Sequence, residues 1–143
     1  MKAVTEIRPG TYVFNDMNTV AAGVTGVERC ALTILATVVS TSVRGRAVID
    51  AGSKTLASDA PRNATIRGFG FVVGHPDVVL EGMSEEHGHL NVAGSSHGFR
   101  IGERLRVIPN HVCTAVNLHN EVWGVRGDEV VEHWPVAARG LVR

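Results

Sequence analysis

The stretch "CALTILATVVSTSV", from Cys30 to Val43, decides the fold. Leu32, Ile34, Ala36 and Val38 alternate with Thr33, Leu35, Thr37 and Val39, a period of two that sends one set to each face of a strand. A helix would restrict so many β-branched side chains against the preceding turn, so an extended chain is the better reading. "RAVID" (Arg46 to Asp50) follows an Arg-Gly turn and is expected to fold back as the second arm of a hairpin. Outward from this pair, further strands are expected at "GTYVFND" (Gly10 to Asp16), "GFGFVV" (Gly68 to Val73), "DVVLEGM" (Asp77 to Met83), "HGHLNV" (His87 to Val92) and "ERLRVI" (Glu103 to Ile108). Near the end, "EVWGV" and "EVVEHWPV" flank Arg126-Gly127-Asp128, a hairpin with glycine at its turn. Only "MNTVAAGV" and "CTAVNLHN" read as helical, and both are short. The expected class is all-β: a mainly antiparallel small β-barrel or sandwich with one or two short helices, spanning residues 1–143 as a single domain.

Composition narrows the function. The 143 residues carry 14 basic and 14 acidic side chains, so charge balance argues against nucleic acid or an anionic membrane as partner. "MKAVTEIRPG" reaches Glu6, Arg8 and Pro9 without an apolar run, which is unlike a secretory leader. The most apolar segment, "CALTILATVV", is too short to span a bilayer. With Cys30 and Cys113 as the only cysteines, a disulfide framework is not expected and a reducing cytoplasm is the expected location.

Two motifs touch on chemistry. "DAGSKT" (Asp50 to Thr55) resembles a phosphate-binding loop, but Gly52 is followed by Ser53 where that loop needs lysine, and "LASDAPRN" downstream is turn-like. A strand ending at Asp50, a turn at Gly52 and a solvated or ion-paired Lys54 is the better account. "RVIPNHVCTAVNL" (Arg106 to Leu118) holds His111 and Cys113 two residues apart, just past a Pro-Asn break. In an extended segment both would face one side, and imidazole with thiolate suits Zn²⁺. Two ligands leave the site open, or His87 or His89 of "SEEHGHL" completes it. The spacing by itself leaves open a small buried cysteine beside a hydrogen-bonded histidine.

Four ordered segments, "EIRPGTYVFND", "VIDAGSKTLASD", "SEEHGHL" and "VIPNHVC…VNL", resemble the C-terminal part of the D-threonine aldolase and eukaryotic-type D-serine dehydratase family. These are pyridoxal-phosphate lyases of the alanine-racemase fold type. The resemblance implies a β domain that normally accompanies a cofactor-binding (β/α)₈ barrel. It assigns the metal to His111 and Cys113, as zinc in the dehydratase-like "HVC" form or as Mn²⁺ in the aldolase form. It also implies that the backbone at Gly10 and Thr11 approaches the cofactor phosphate and that Tyr12 either reaches the cofactor or packs.

The same comparison exposes two departures. The cofactor barrel is missing, and neither Lys2 nor Lys54 matches the family's Schiff-base lysine. Thr114 stands where the family has proline. The expectation is therefore the metal-bearing domain of a lyase for small 3-hydroxy D-amino acids, by dehydration or retro-aldol cleavage, inactive without a barrel in cis or in trans. Pyridoxal phosphate belongs only to the complete enzyme, and homodimerisation is a further expected partnership. The competing expectation is a non-catalytic β-barrel interaction module with a structural zinc or no metal.

Overall fold

The computed structural model describes residues 3–141. Eight strands are present among the described residues: β1 (Ile34–Ser40), β2 (Arg46–Ile49), β3 (Gly70–Val72), β4 (Val79–Met83), β5 (Gly88–Asn91), β6 (Arg104–Pro109), β7 (Glu121–Arg126) and β8 (Glu129–Pro135). Three short helices accompany them: α1 (Met17–Ala21), α2 (Ser53–Leu56) and α3 (Val112–Leu118).

The first six strands form one antiparallel sheet in the order β3-β6-β1-β2-β5-β4. Its two outer strands approach each other where the Phe69 amide donates to the Leu80 carbonyl at 2.9 Å. The sheet thereby nearly closes on itself, which removes most of the unpaired edge that an open sheet exposes. The alternation in β1 is realised as read: Ile34, Ala36 and Val38 are buried, whereas Leu35 and Val39 are exposed. They meet Ile49, Val72, Leu80, Leu90, Leu105 and Val107 in one apolar interior.

"GTYVFND" is not a strand. Thr11–Val13 form a 3-10 turn, Asn15 takes a left-handed conformation (φ 57°), and Asp16 caps α1. The local chemistry explains the difference. The Asp16 side chain accepts the Thr19 amide at 3.0 Å and the Thr19 hydroxyl accepts the Asp16 amide at 3.0 Å. That reciprocal cap is worth about 1 kcal/mol to a helix start, while Asn15 tolerates the left-handed turn better than most residues.

The rejected phosphate loop is accounted for by packing. The Ser53 and Lys54 amides, which a phosphate would need, instead donate to the Ser84 and Glu85 carbonyls at 2.9 and 3.0 Å. Gly52 lies so close to those carbonyls that a Cβ there would collide with both. Lys54 is ion-paired, with Glu85 at 2.7 Å and Glu86 at 2.8 Å.

The last two strands, β7 and β8, pair with each other alone among the described residues and turn at Gly127 (φ 63°). All seven residues of β8 are exposed. No helix among the described residues is long and apolar enough to cross a membrane.

Candidate metal centre

The end of β6 sets up the pair that the sequence singled out. Asn110 is buried, and its side-chain amide donates to the carbonyls of Asp59 and Gly68 at 3.0 and 2.9 Å. Its own carbonyl accepts the Asn18 amide at 3.2 Å. These bonds pin the chain as it leaves the barrel. His111 follows in an extended conformation (φ −134°, ψ 113°) as the residue capping α3.

Cys113 therefore does not continue a strand. It lies in the first turn of α3, so the expectation that an extended backbone aligns it with His111 is replaced by a strand-to-helix corner. Thr114, where proline was expected, holds that corner: its hydroxyl lies 2.5 Å from Asp59 Oδ2 and 3.1 Å from the His111 carbonyl. A hydroxyl makes contacts here that a proline could not.

Asp16 supplies what sequence reading missed. It is fully buried, and its Oδ2 accepts the Val112 amide at 3.0 Å and the Nδ1–H of His111 at 3.1 Å. A carboxylate that already takes backbone N–H groups offers only lone pairs, so the proton of a neutral His111 sits on Nδ1. Nε2 is left with a lone pair and no hydrogen bond among the described residues. Carboxylate-to-imidazole support of this kind orients metal-binding histidines and raises their basicity. The signal available in the sequence was Asp16 followed three residues later by Thr19, a helix-cap pattern.

Cys113 is exposed, with its Sγ 3.6 Å from the Thr11 hydroxyl. Cys30 differs: burial pushes its thiol above the ordinary value, and the charges of Asp16 and Glu28 push the same way. Of the two cysteines, Cys113 is the one open to solvent.

The other expected residues divide. Thr11 is brought to Cys113, whereas Gly10 and Tyr12 are exposed and make no side-chain hydrogen bond among the described residues. His87 and His89 are exposed. Among the described residues they form no group of three ligands with His111 and Cys113. The donor set available here, one oriented imidazole and one accessible sulfur, fits a zinc-type ion with open positions.

Residues 31–125 match the family model described as "Putative serine dehydratase domain". The chain belongs to this serine dehydratase domain family. A Mycobacterium tuberculosis relative named only as an uncharacterised protein is 45% identical, over 77% of this chain and 84% of that one. The D-threo-3-hydroxyaspartate dehydratase of a Delftia species is 33% identical over 94% of this chain but only 39% of its own length. Its solved structure superposes with a TM-score of 0.82 at 34% identity, covering 92% of this chain and 38% of that one. D-threonine aldolase from Filomicrobium marinum gives a TM-score of 0.78 at 34% identity, covering 95% and 36%. This serine dehydratase domain thus spans little more than a third of those two enzymes. Solved structures named D-threo-3-hydroxyaspartate dehydratase include a histidine-to-alanine variant and, two positions further on, a cysteine-to-alanine variant in a metal-free form.

Proposed function

We propose that this chain is the metal-bearing β domain of a pyridoxal-phosphate-dependent lyase acting on small 3-hydroxy D-amino acids. The single observation that carries the reading is the buried Asp16 holding the Nδ1 proton of His111 beside an exposed Cys113. The D-threo-3-hydroxyaspartate dehydratase variants, which target a histidine and a cysteine at the same spacing, support it.

In this reading His111 Nε2 and Cys113 Sγ hold the metal, zinc in preference to Mn²⁺ because of the sulfur. Zinc supplies Lewis-acid polarisation of the substrate's 3-hydroxyl group. The cofactor, held by a barrel domain, supplies electron withdrawal at the substrate α-carbon. Everything else falls to this chain's own residues. Asp16 keeps the imidazole in one tautomer and one orientation. The Thr11 hydroxyl donates toward the Cys113 sulfur and tempers its negative charge. Gly10 and Thr11 face the cofactor phosphate, with no side chain at Gly10 to block approach, and Tyr12 reaches the cofactor beside them. The location is cytoplasmic, where a free thiol ligand stays reduced.

A second reading is favoured by one finding. The Mycobacterium tuberculosis relative is matched over 84% of its length, so in that relative the domain makes up most of the protein. That suits a non-catalytic module whose metal is structural.

Reconstitution separates the two. The purified chain alone should release no keto acid or ammonia from D-serine or D-threo-3-hydroxyaspartate, for want of a matching lysine. Mixed with a family barrel and cofactor it should restore turnover, and His111→Ala should lower that turnover by about a hundredfold or more, because several kcal/mol of polarisation are lost. Turnover indifferent to His111→Ala would favour the structural module.

A further inference from the structure

A second cluster of metal-type ligands lies at the other end of β6. Glu103 immediately precedes that strand and His111 follows it, so the two places are separated by roughly 25 Å of extended chain. Glu103 meets His75, from the turn after β3, and His97, from the loop between β5 and β6. One nitrogen of each imidazole and a Glu103 oxygen all lie within 4.8 Å of one another. Among the described residues this is the group of three or more His, Cys, Asp and Glu side chains close enough to share an ion.

The cluster is built on the barrel. The Val38 amide of β1 donates to the Glu103 carbonyl at 2.8 Å, and the Gly102 amide donates to the Val38 carbonyl at 2.8 Å. His75 is held in its turn from both sides: its amide donates to Val72 and its carbonyl accepts from Val78, each at 3.1 Å. Phe99, which packs against the barrel interior, lies against both imidazoles, with ring centroids 5.1 Å from His75 and 4.6 Å from His97. Two donors therefore sit on fixed backbone, and an aromatic ring backs the two imidazoles.

Glu103 is ready to bind as an anion. Burial pushes its carboxyl up, but hydrogen bonds from His97 and the Arg100 amide outweigh this and hold it below the ordinary range. His97 Nε2 and Glu103 Oε1 are 2.6 Å apart.

We propose that His75, His97 and Glu103 form a second divalent-cation site, of the zinc and cobalt class, that clasps the loop between β5 and β6 onto the turn after β3. Two imidazoles and one carboxylate suit borderline transition metals better than Mg²⁺ or Ca²⁺, which take oxygen ligands. Metal bonds of about 2.1 Å at tetrahedral angles set donors about 3.4 Å apart, so His97 Nε2 and Glu103 Oε1, now 2.6 Å apart, must part to admit an ion. Side-chain rotation of the exposed His97 provides that movement. Water fills the remaining positions.

The test uses the full chain carrying His111→Ala and Cys113→Ala, which removes the other candidate site. Titrated with Co²⁺, this variant should bind one ion per chain, with weak visible bands and no sulfur-to-metal absorption in the near ultraviolet. His75→Gln and Glu103→Gln, each added singly, should weaken that binding at least about tenfold, the loss seen even for residues that only support a ligand. Far-UV circular dichroism should remain unchanged in both. Zn²⁺ should also slow proteolytic cleavage within residues 94–101 of the parent variant, but not of the Glu103→Gln form. A parent variant that binds no Co²⁺ overturns the proposal, as does an affinity unmoved by both substitutions. The sulfur-linked absorption of the unmodified chain reports separately on His111 and Cys113, so failure here leaves that centre standing.

Discussion

Asp16 Oδ2 accepts the Nδ1–H of His111 at 3.1 Å, across 95 positions of sequence. The same oxygen takes the Val112 amide at 3.0 Å, and the other takes the Thr19 amide at 3.0 Å. One buried carboxylate thus starts α1, fixes the first turn of α3 and sets the tautomer of the imidazole between β6 and α3. The helix caps and the orientation of the His111 ring rest on the same three hydrogen bonds.

Asp16→Asn tests that coupling. The asparagine oxygen can still take the Thr19 amide, but its NH₂ group would face the Val112 amide and the His111 ring nitrogen, donor against donor. Stability should fall by about 1–3 kcal/mol in urea unfolding, and zinc affinity at His111 should fall about 10- to 100-fold in a chelator competition. Unchanged zinc affinity in a folded variant would detach Asp16 from the metal.

The two cysteines should react differently. Cys113 is exposed, while burial first, then the charges of Asp16 and Glu28, hold the Cys30 thiol above its usual 9.0. At neutral pH iodoacetamide should modify Cys113 and spare Cys30, because the thiolate is the nucleophile. Raising the pH should bring in Cys30 only well into the alkaline range. Added Zn²⁺ should protect Cys113. Mass spectrometry of the alkylated peptides reads each site, and zinc-insensitive labelling of Cys113 would count against its role as ligand.

Much of this was legible in the sequence. Strict alternation marked β1, Arg44-Gly45 and Arg126-Gly127-Asp128 marked their hairpin turns, and the short apolar runs marked the remaining barrel strands. Such signals are local, and the side-chain period of a strand leaves little freedom. What escaped was non-local or competed with a local pattern. "GTYVFND" alternates like a strand, yet the Asp16–Thr19 cap and the left-handed Asn15 bend it into a turn. Asp16 and His111 could not be paired from spacing, nor could His75 with His97 and Glu103, because barrel closure brings them together.

The β7–β8 hairpin presents Trp123, Val125, Val130, Val131 and Trp134 to solvent, and Ile7 and Val13 are exposed as well. Exposed apolar surface of this extent favours association. The chain should self-associate as concentration rises in light scattering, and Val131→Glu with Trp134→Glu should reduce this. The hairpin packs mainly on itself, so each change should alter barrel stability by only about 0.5 kcal/mol. A strictly monomeric parent at high concentration would contradict the expectation.

Gly52→Val should show how tightly α2 sits on the loop after β4. A side chain there meets the Ser84 and Glu85 carbonyls, which are backbone and cannot swing aside. Destabilisation of roughly 1–3 kcal/mol is expected by calorimetry, in the range of overpacked sites. A neutral change would mean that the loop yields freely.

The central claim is that His111 and Cys113 share a metal ion, and Co²⁺ titration of the full chain tests it most directly. A thiolate ligand gives sulfur-to-cobalt absorption in the near ultraviolet, which imidazole and carboxylate ligands do not. The account predicts that band at one equivalent in the parent chain, its loss in Cys113→Ser, and its weakening by about tenfold or more in apparent affinity in His111→Ala. A parent chain that binds Co²⁺ without the band, or a band that survives in Cys113→Ser, would contradict it.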